Sequence, residues 1–208
     1  MSKNENNEPI LCYIEFMKKL IITDFFGVVG SEDAPLFFRK HVDEKLGQEL
    51  MVRYFQKGDL GEITMEEIID GISLEFHYPR EIIKQEFFEG PQPHEEYIAL
   101  LRDLKKKGHP IVVLSNAPDT LVPYLSNRYQ VQDLFDKTYV SSDYHLVKPG
   151  KEFFFLALNE MGYQAKDAIF IDDHEENVLA SRRLGMEGIL FRNDQQTLVN
   201  IRLAAEEK

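Results

Sequence analysis

Leu20-Ile21-Ile22-Thr23-Asp24-Phe25-Phe26-Gly27-Val28-Val29 is the stretch on which the fold turns. A short apolar, β-rich run ends in an acidic residue. Outward from it, similar runs recur at residues 111–114, 138–140, 168–171 and 188–191. From the second run on, helical stretches separate them. Residues 95–107 place Ile98, Leu101 and Leu104 on one face and end at Gly108. Lys105, Lys106 and Lys107 lie at the negative end of that helix dipole. Residues 151–161 end at Gly162, and residues 175–184 at Gly185. Strand alternating with helix predicts an α/β fold, a parallel sheet with helices on both faces.

Between the first two strands lies a long detour, residues 33–92, that reads as helical. Asp33 can cap a helix with Pro35 in its first turn. Thr64-Met65-Glu66-Glu67 is a capping box ahead of Ile68, Ile69 and Ile72. Pro79 opens another helix, which Gly90 closes, and Pro91 and Pro93 mark the return. The expected organisation is a polar tail over 1–16, a core built from 17–32 and 93–208, and a smaller all-helical cap over 33–92. Met17 is a plausible initiator.

Composition narrows the function classes. The 208 residues are 43% apolar, enough for a core, and no apolar run approaches the roughly 20 residues that span a membrane. The 24 Lys and Arg against 36 Asp and Glu give −12, spread along the chain, so a nucleic-acid partner is not expected. Cys12 is the single cysteine, which excludes an internal disulfide. With no signal-peptide order at the N-terminus, the expected location is cytoplasmic. Nothing in the sequence fixes an oligomeric state.

Four polar sites follow strands: Asp24, Ser115-Asn116, Lys148-Pro149, and Asp172-Asp173 with Asn177. Taken singly, each reads as a turn, a solvated loop or a helix cap. In an open parallel sheet, however, the carboxyl ends of the strands share one edge, where ligands bind. There the set reads as phosphoryl transfer with Mg²⁺, which favours one or two carboxylates plus phosphate oxygens. Asp24 is the candidate nucleophile. Lys148, Ser115 and Asn116 are the candidates to hold the phosphoryl oxygens.

These four sites, in this order, resemble the motifs of the haloacid dehalogenase-like (HAD) superfamily, in the branch with a helical cap between its first two motifs. The resemblance implies a Rossmann-like core and a Mg²⁺-dependent phosphatase of small phosphorylated metabolites. It implies metal ligands from Asp24, the backbone carbonyl of Phe26 and the Asp172/Asp173 pair, with Asp173 the direct ligand of the two.

One position departs from the pattern. Family phosphatases carry an acid/base Asp two residues after the nucleophile, where this chain has Phe26, and Val28 stands where Thr is common. General acid–base help is worth roughly 10²–10⁴-fold. Three readings stand: a phosphatase that is slow or restricted to good leaving groups, a catalytically degenerate domain that binds a phosphorylated ligand or partner, and a 2-haloacid dehalogenase, whose members carry an aromatic residue at that position but work without metal. Lys57 and Asp59, in a segment read as a loop between cap helices, are expected to select substrate. His145 is a candidate substitute acid and His174 a surface residue at a helix start. Asp143 reads as a turn residue, and Phe153-Phe154-Phe155 as core.

Overall fold

The computed structural model describes residues 18–32 and 34–206. The expected tail, Cys12, Met17 and the Asp33 cap lie outside the described residues. Five parallel strands, β1 (Leu20–Thr23), β2 (Ile111–Ser115), β3 (Lys137–Val140), β4 (Ala168–Asp172) and β5 (Glu187–Leu190), form one sheet in the order β3-β2-β1-β4-β5. The predicted strands hold to within one residue at each end, and β5 sits one residue earlier than expected, closing on the Phe191 N–H bond to the Asp172 carbonyl.

Strand periodicity sorts the core. Ile21, Ile111, Val113, Ile169 and Ile171 face one side, and Leu20, Ile22, Val112, Leu114 and Phe170 face the other. The first side packs on α6 (Glu95–Lys106), α7 (Leu121–Arg128) and α11 (Gln195–Glu206). The second packs on α9 (Lys151–Met161) and on α10 (Glu175–Arg183) through Ala180. Phe153 and Phe154 are buried on this second side as expected, whereas Phe155 is exposed, because three consecutive helical residues cannot all face the sheet.

Between β1 and β2 the chain forms α1 (Ala34–His41), α2 (Glu44–Leu50), a π-helical turn (Met51–Phe55), α3 (Gln56–Asp59), α4 (Met65–Phe76) and α5 (Arg80–Glu89). These helices bury a cluster of their own, including Phe37, Phe55, Ile68, Ile72 and Phe87. The capping box at Thr64 forms as predicted. Two short crossings join the helices to the sheet. Ser31 donates its N–H to the Gln92 carbonyl at 2.8 Å, and His94 donates to Val29 at 2.9 Å. No described helix is long and apolar enough to cross a membrane.

The topology locates the functional edge. From β1 the chain builds outward to β2 and β3, then returns across to β4 and β5 on the other side of β1. The strand order therefore reverses at β1/β4, where a crevice opens at the carboxyl ends of the strands. Thr23 pairs in register with Ile171, so Asp24 and Asp172 leave the sheet side by side.

Candidate active site

Asp24, Lys148 and Asp172 meet at this crevice. Lys148 Nζ lies 2.9 Å from Asp24 Oδ1 and 2.7 Å from Asp172 Oδ2. The ammonium is buried, with the Phe170 ring 5.7 Å away. Burial disfavours its charge, but Asp172 and Asp24 outweigh that and raise the Lys148 pKa. Asp24 is in the opposite position. Burial pushes its carboxyl up, to about 8, against the pull of Lys148, and Asp172 and Asp173 push the same way. Lys148 alone does not balance the three neighbouring carboxylates.

The four carboxylate and amide partners divide the work unequally. Asp172 accepts at both oxygens: His174 N–H at 2.8 Å and Asn177 Nδ2 at 3.1 Å on Oδ1, with Asn177 also at 3.1 Å on Oδ2 beside Lys148. Asn177 therefore holds Asp172. Asn116 is likewise engaged, its Nδ2 donating to the Lys148 carbonyl at 2.9 Å and its Oδ1 accepting from the Lys148 N–H at 2.8 Å. These two bonds fix the Lys148 backbone. The phosphate-binding expectation for Asn116 thus meets a side chain whose polar atoms already have partners.

Two buried groups among the candidate site residues lack them: Ser115 Oγ and Asp173 Oδ1 have no hydrogen-bond partner. Asp24, Asp172 and Asp173 each offer an oxygen within 4.8 Å of the others. Burial raises the Asp173 pKa, with Asp172 adding to it and His174 opposing. A divalent cation would satisfy the orphaned oxygen and offset the excess negative charge, so this all-oxygen set fits a hard ion such as Mg²⁺. Gly27 makes room for it. Its φ is +76°, and a Cβ there would stand 2.1 Å from Asp173 Oδ2. Asp173 therefore packs against the backbone immediately after Phe26.

The two aromatic residues after Asp24 part company. Phe25 is fully buried and stacks parallel to Tyr129, ring centroids 6.1 Å apart. Phe26 is partly buried, touches both the sheet core and the helical cluster, and lines the cleft. That cleft has a volume of about 560 Å³ and lies between the strand ends and the helices from α1 to α3. Asp24, Lys148, Asn116, Asp173 and Asn177 line its floor.

Several expectations meet a different geometry. Asp59 lines the cleft, but Lys57 borders a separate surface depression with Gln48, Glu49, Val52 and Arg53. The reason is helical phase. Residues 56–59 form α3 rather than a loop, and Met51, Phe55 and Asp59, spaced by four, face the floor while Lys57 points outward. His145 is not among the residues lining the cleft, and its ring Nδ1 donates to the Leu60 carbonyl at 2.7 Å. Asp143 lies in a one-turn helix, α8 (Ser141–Tyr144), rather than a plain turn. His174 does start a helix and is mostly exposed, yet it also lines the cleft, 3.9 Å from Asp173 Oδ1. Sequence reasoning missed Glu32, which shares the cleft and lies near Asp173 and His174. Its only sequence signal is its place at the crossing into the helices.

Comparison with known proteins agrees with this architecture. Sesquiterpene phosphatase of Aspergillus oryzae is 31% identical over 111 residues, 53% of this chain and 57% of that one. Drimenol cyclase of Aspergillus calidoustus is 25% identical over 197 residues, 89% of this chain and 37% of that one. The chain thus spans well under two thirds of the length of these curated relatives. A HAD family enzyme of Bacteroides thetaiotaomicron, solved in complex with magnesium and inorganic phosphate, shares the fold. It aligns with a TM-score of 0.69 at 23% identity, over 86% of this chain and 96% of that one. The family model for haloacid dehalogenase-like hydrolases matches residues 19–185, and on that match the chain belongs to this hydrolase family.

Proposed function

We propose that the protein is a Mg²⁺-dependent phosphomonoester hydrolase of small molecules, working through an aspartyl-phosphate on Asp24. One observation carries the reading: a buried carboxylate, a buried lysine and an under-neutralised acidic pair converge at the switch point of the sheet. The phosphatase named among the relatives, and the phosphate and magnesium in the structural relative, support it.

Both hydrogen-bonding partners of the Asp24 carboxylate, Lys148 Nζ and the Phe25 N–H, fall on Oδ1. Oδ2 is then the attacking atom. It forms a bond to phosphorus as the bond from phosphorus to the leaving oxygen breaks. Water next attacks phosphorus, the bond to Asp24 breaks, and inorganic phosphate leaves. Lys148 and the Ser115 hydroxyl hold phosphoryl oxygens as charge builds on them. Asp24, Asp173 and the Phe26 carbonyl would hold Mg²⁺, with Asp172 supporting the site while it anchors Lys148. The ion supplies charge neutralisation at the phosphoryl group. In this reading the helices between β1 and β2 are a cap, and Asp59 faces the substrate from it.

Phe26 cannot protonate a leaving oxygen, so the reaction favours leaving groups that depart as stable anions. The test is turnover of p-nitrophenyl phosphate with and without Mg²⁺, beside Asp24→Asn. Activity that survives either the substitution or metal removal sinks the mechanism. Phe26 also favours one second reading, a domain that binds phosphoryl ligands without turnover. That reading predicts thermal stabilisation by Mg²⁺ with beryllofluoride and no phosphate release from any ester.

A further inference from the structure

The cleft above the proposed reaction centre has a chemical bias of its own. Its roof and walls are apolar: Phe26, Pro35, Met51, Phe55, Leu60 and Pro118 all line it. The π-helical turn over Met51–Phe55 adds a residue to the helix, and both ends of that turn reach the cleft. The charged lining is one-sided. Among the described residues Lys148 is the only Lys or Arg there, and its ammonium is already held by Asp24 and Asp172. Beyond the floor, the charged groups at the rim are Glu32, Asp59, Glu175 and Glu176, with His174 beside them, and Glu32 is paired with Arg39 outside the lining. Among the described residues no guanidinium or ammonium lines the cleft above the floor.

A substrate with a second anionic group would therefore set that charge in an apolar enclosure edged by carboxylates. The first phosphoryl group escapes this repulsion because its charge sits at the floor, against Lys148 and the acidic set that fits a dication. The volume of about 560 Å³ suits a small organic molecule rather than a polymer.

We propose that the substrate is a monoester bearing one phosphoryl group on an otherwise uncharged, mainly apolar alcohol, gripped by Met51, Phe55 and Leu60, with no cation in the lining above the floor to receive a second anion. This rests on the phosphatase reading and narrows it.

The test compares aryl phosphates in matched pairs, so that the missing acid weighs equally on each member. With Mg²⁺ present, kcat/KM is measured for phenyl, 1-naphthyl and 4-carboxyphenyl phosphate. The naphthyl ester is expected to exceed the phenyl ester by about tenfold, and the carboxyphenyl ester to fall about tenfold below it. The carboxylate slightly activates the phenol as a leaving group, so this bias works against the expected result. Gln56 lines the cleft and is exposed. Gln56→Arg places a cation in the roof and should raise the carboxyphenyl-to-phenyl ratio several-fold. A carboxyphenyl ester turned over as well as the phenyl ester overturns the proposal, and so does a ratio that Gln56→Arg leaves unmoved. Absence of turnover for all three esters and for p-nitrophenyl phosphate refutes the phosphatase reading itself and the proposal with it.

Discussion

Asp24→Asn should make the metal-free protein more stable while abolishing phosphate release. The carboxylate is buried beside Asp172 and Asp173 and shares Lys148 with the first of them. Its pKa is raised from the ordinary 3.8 to about 8. A raised folded-state value means that the folded chain binds the proton more tightly than the unfolded one. That stability is fully present below 3.8 and is lost as pH rises through about 8. Converted at ~1.4 kcal/mol per tenfold, the ceiling is on the order of 6 kcal/mol. Relaxation and water entry cut that, and the amide weakens one of the two ion pairs of Lys148, so a gain of about 1–3 kcal/mol at pH 8 is expected. Asparagine keeps the shape and can still accept from the Phe25 N–H, which now bonds Oδ1 at 2.7 Å. Urea melts of both proteins in EDTA at pH 5 and pH 8 measure the effect as a difference, so other titrating groups cancel. The gain should grow between the two pH values, and saturating Mg²⁺ should erase it by stabilising the wild type more. A wild type at least as stable as Asp24→Asn at pH 8 in EDTA would refute the claim that this cluster carries excess negative charge.

Three further outcomes are expected. Gly27→Ala drives a methyl into the Asp173 carboxylate at a backbone φ of +76°; isothermal titration should give Mg²⁺ binding at least about tenfold weaker, with a stability loss of only ~1–2 kcal/mol, because Asp173 can swing aside. Phe26→Asp should raise kcat for alkyl phosphates by roughly 10²-fold or more and for aryl phosphates far less, since only the alkoxide needs a proton; equal gains for both would remove the acid/base explanation. Thr64→Ala deletes the cap that accepts from the Glu67 N–H at 3.2 Å; denaturant melts should register a loss of about 1 kcal/mol with kcat unchanged.

The sheet was legible because short apolar runs between capped helices leave few alternatives, and parallel topology brings their carboxyl ends to one edge. That alone gathered Asp24, Lys148 and Asp172 from up to 148 positions apart in the chain. The division of labour among them was not legible. Whether Asn116 touches phosphate or backbone depends on where the Lys148 peptide lies, and Asn177 is tied to Asp172 by a helix start. Lys57 and Asp59 differ by two positions, a separation that puts helical side chains on different faces, and only the helical state of 56–59 decides which one lines the cleft. Glu32 was hidden for a similar reason, since its neighbours in space, Asp173 and His174, come from the far end of the chain.

Phe26 ties the chemistry to the substrate. In the proposed reaction its backbone carbonyl is available to a metal whatever the side chain is, so an aromatic residue here would spare the first half-reaction's electrostatics. What it removes is the proton for the leaving oxygen, and what it adds is an apolar wall continuous with Met51 and Phe55. The two effects select in the same direction. Loss of the acid favours an alcohol whose anion is already stable, and the ring favours an alcohol with an apolar body; a phenolic or comparably stabilised apolar ester meets both conditions, whereas a polar sugar phosphate meets neither. A domain kept only for binding would need the buried Lys148, the orphaned Asp173 oxygen and the close approach of Asp173 to Gly27 without using them for turnover. The hydrolase reading gives each of these costs a function, and the apolar cleft sets which esters it would serve.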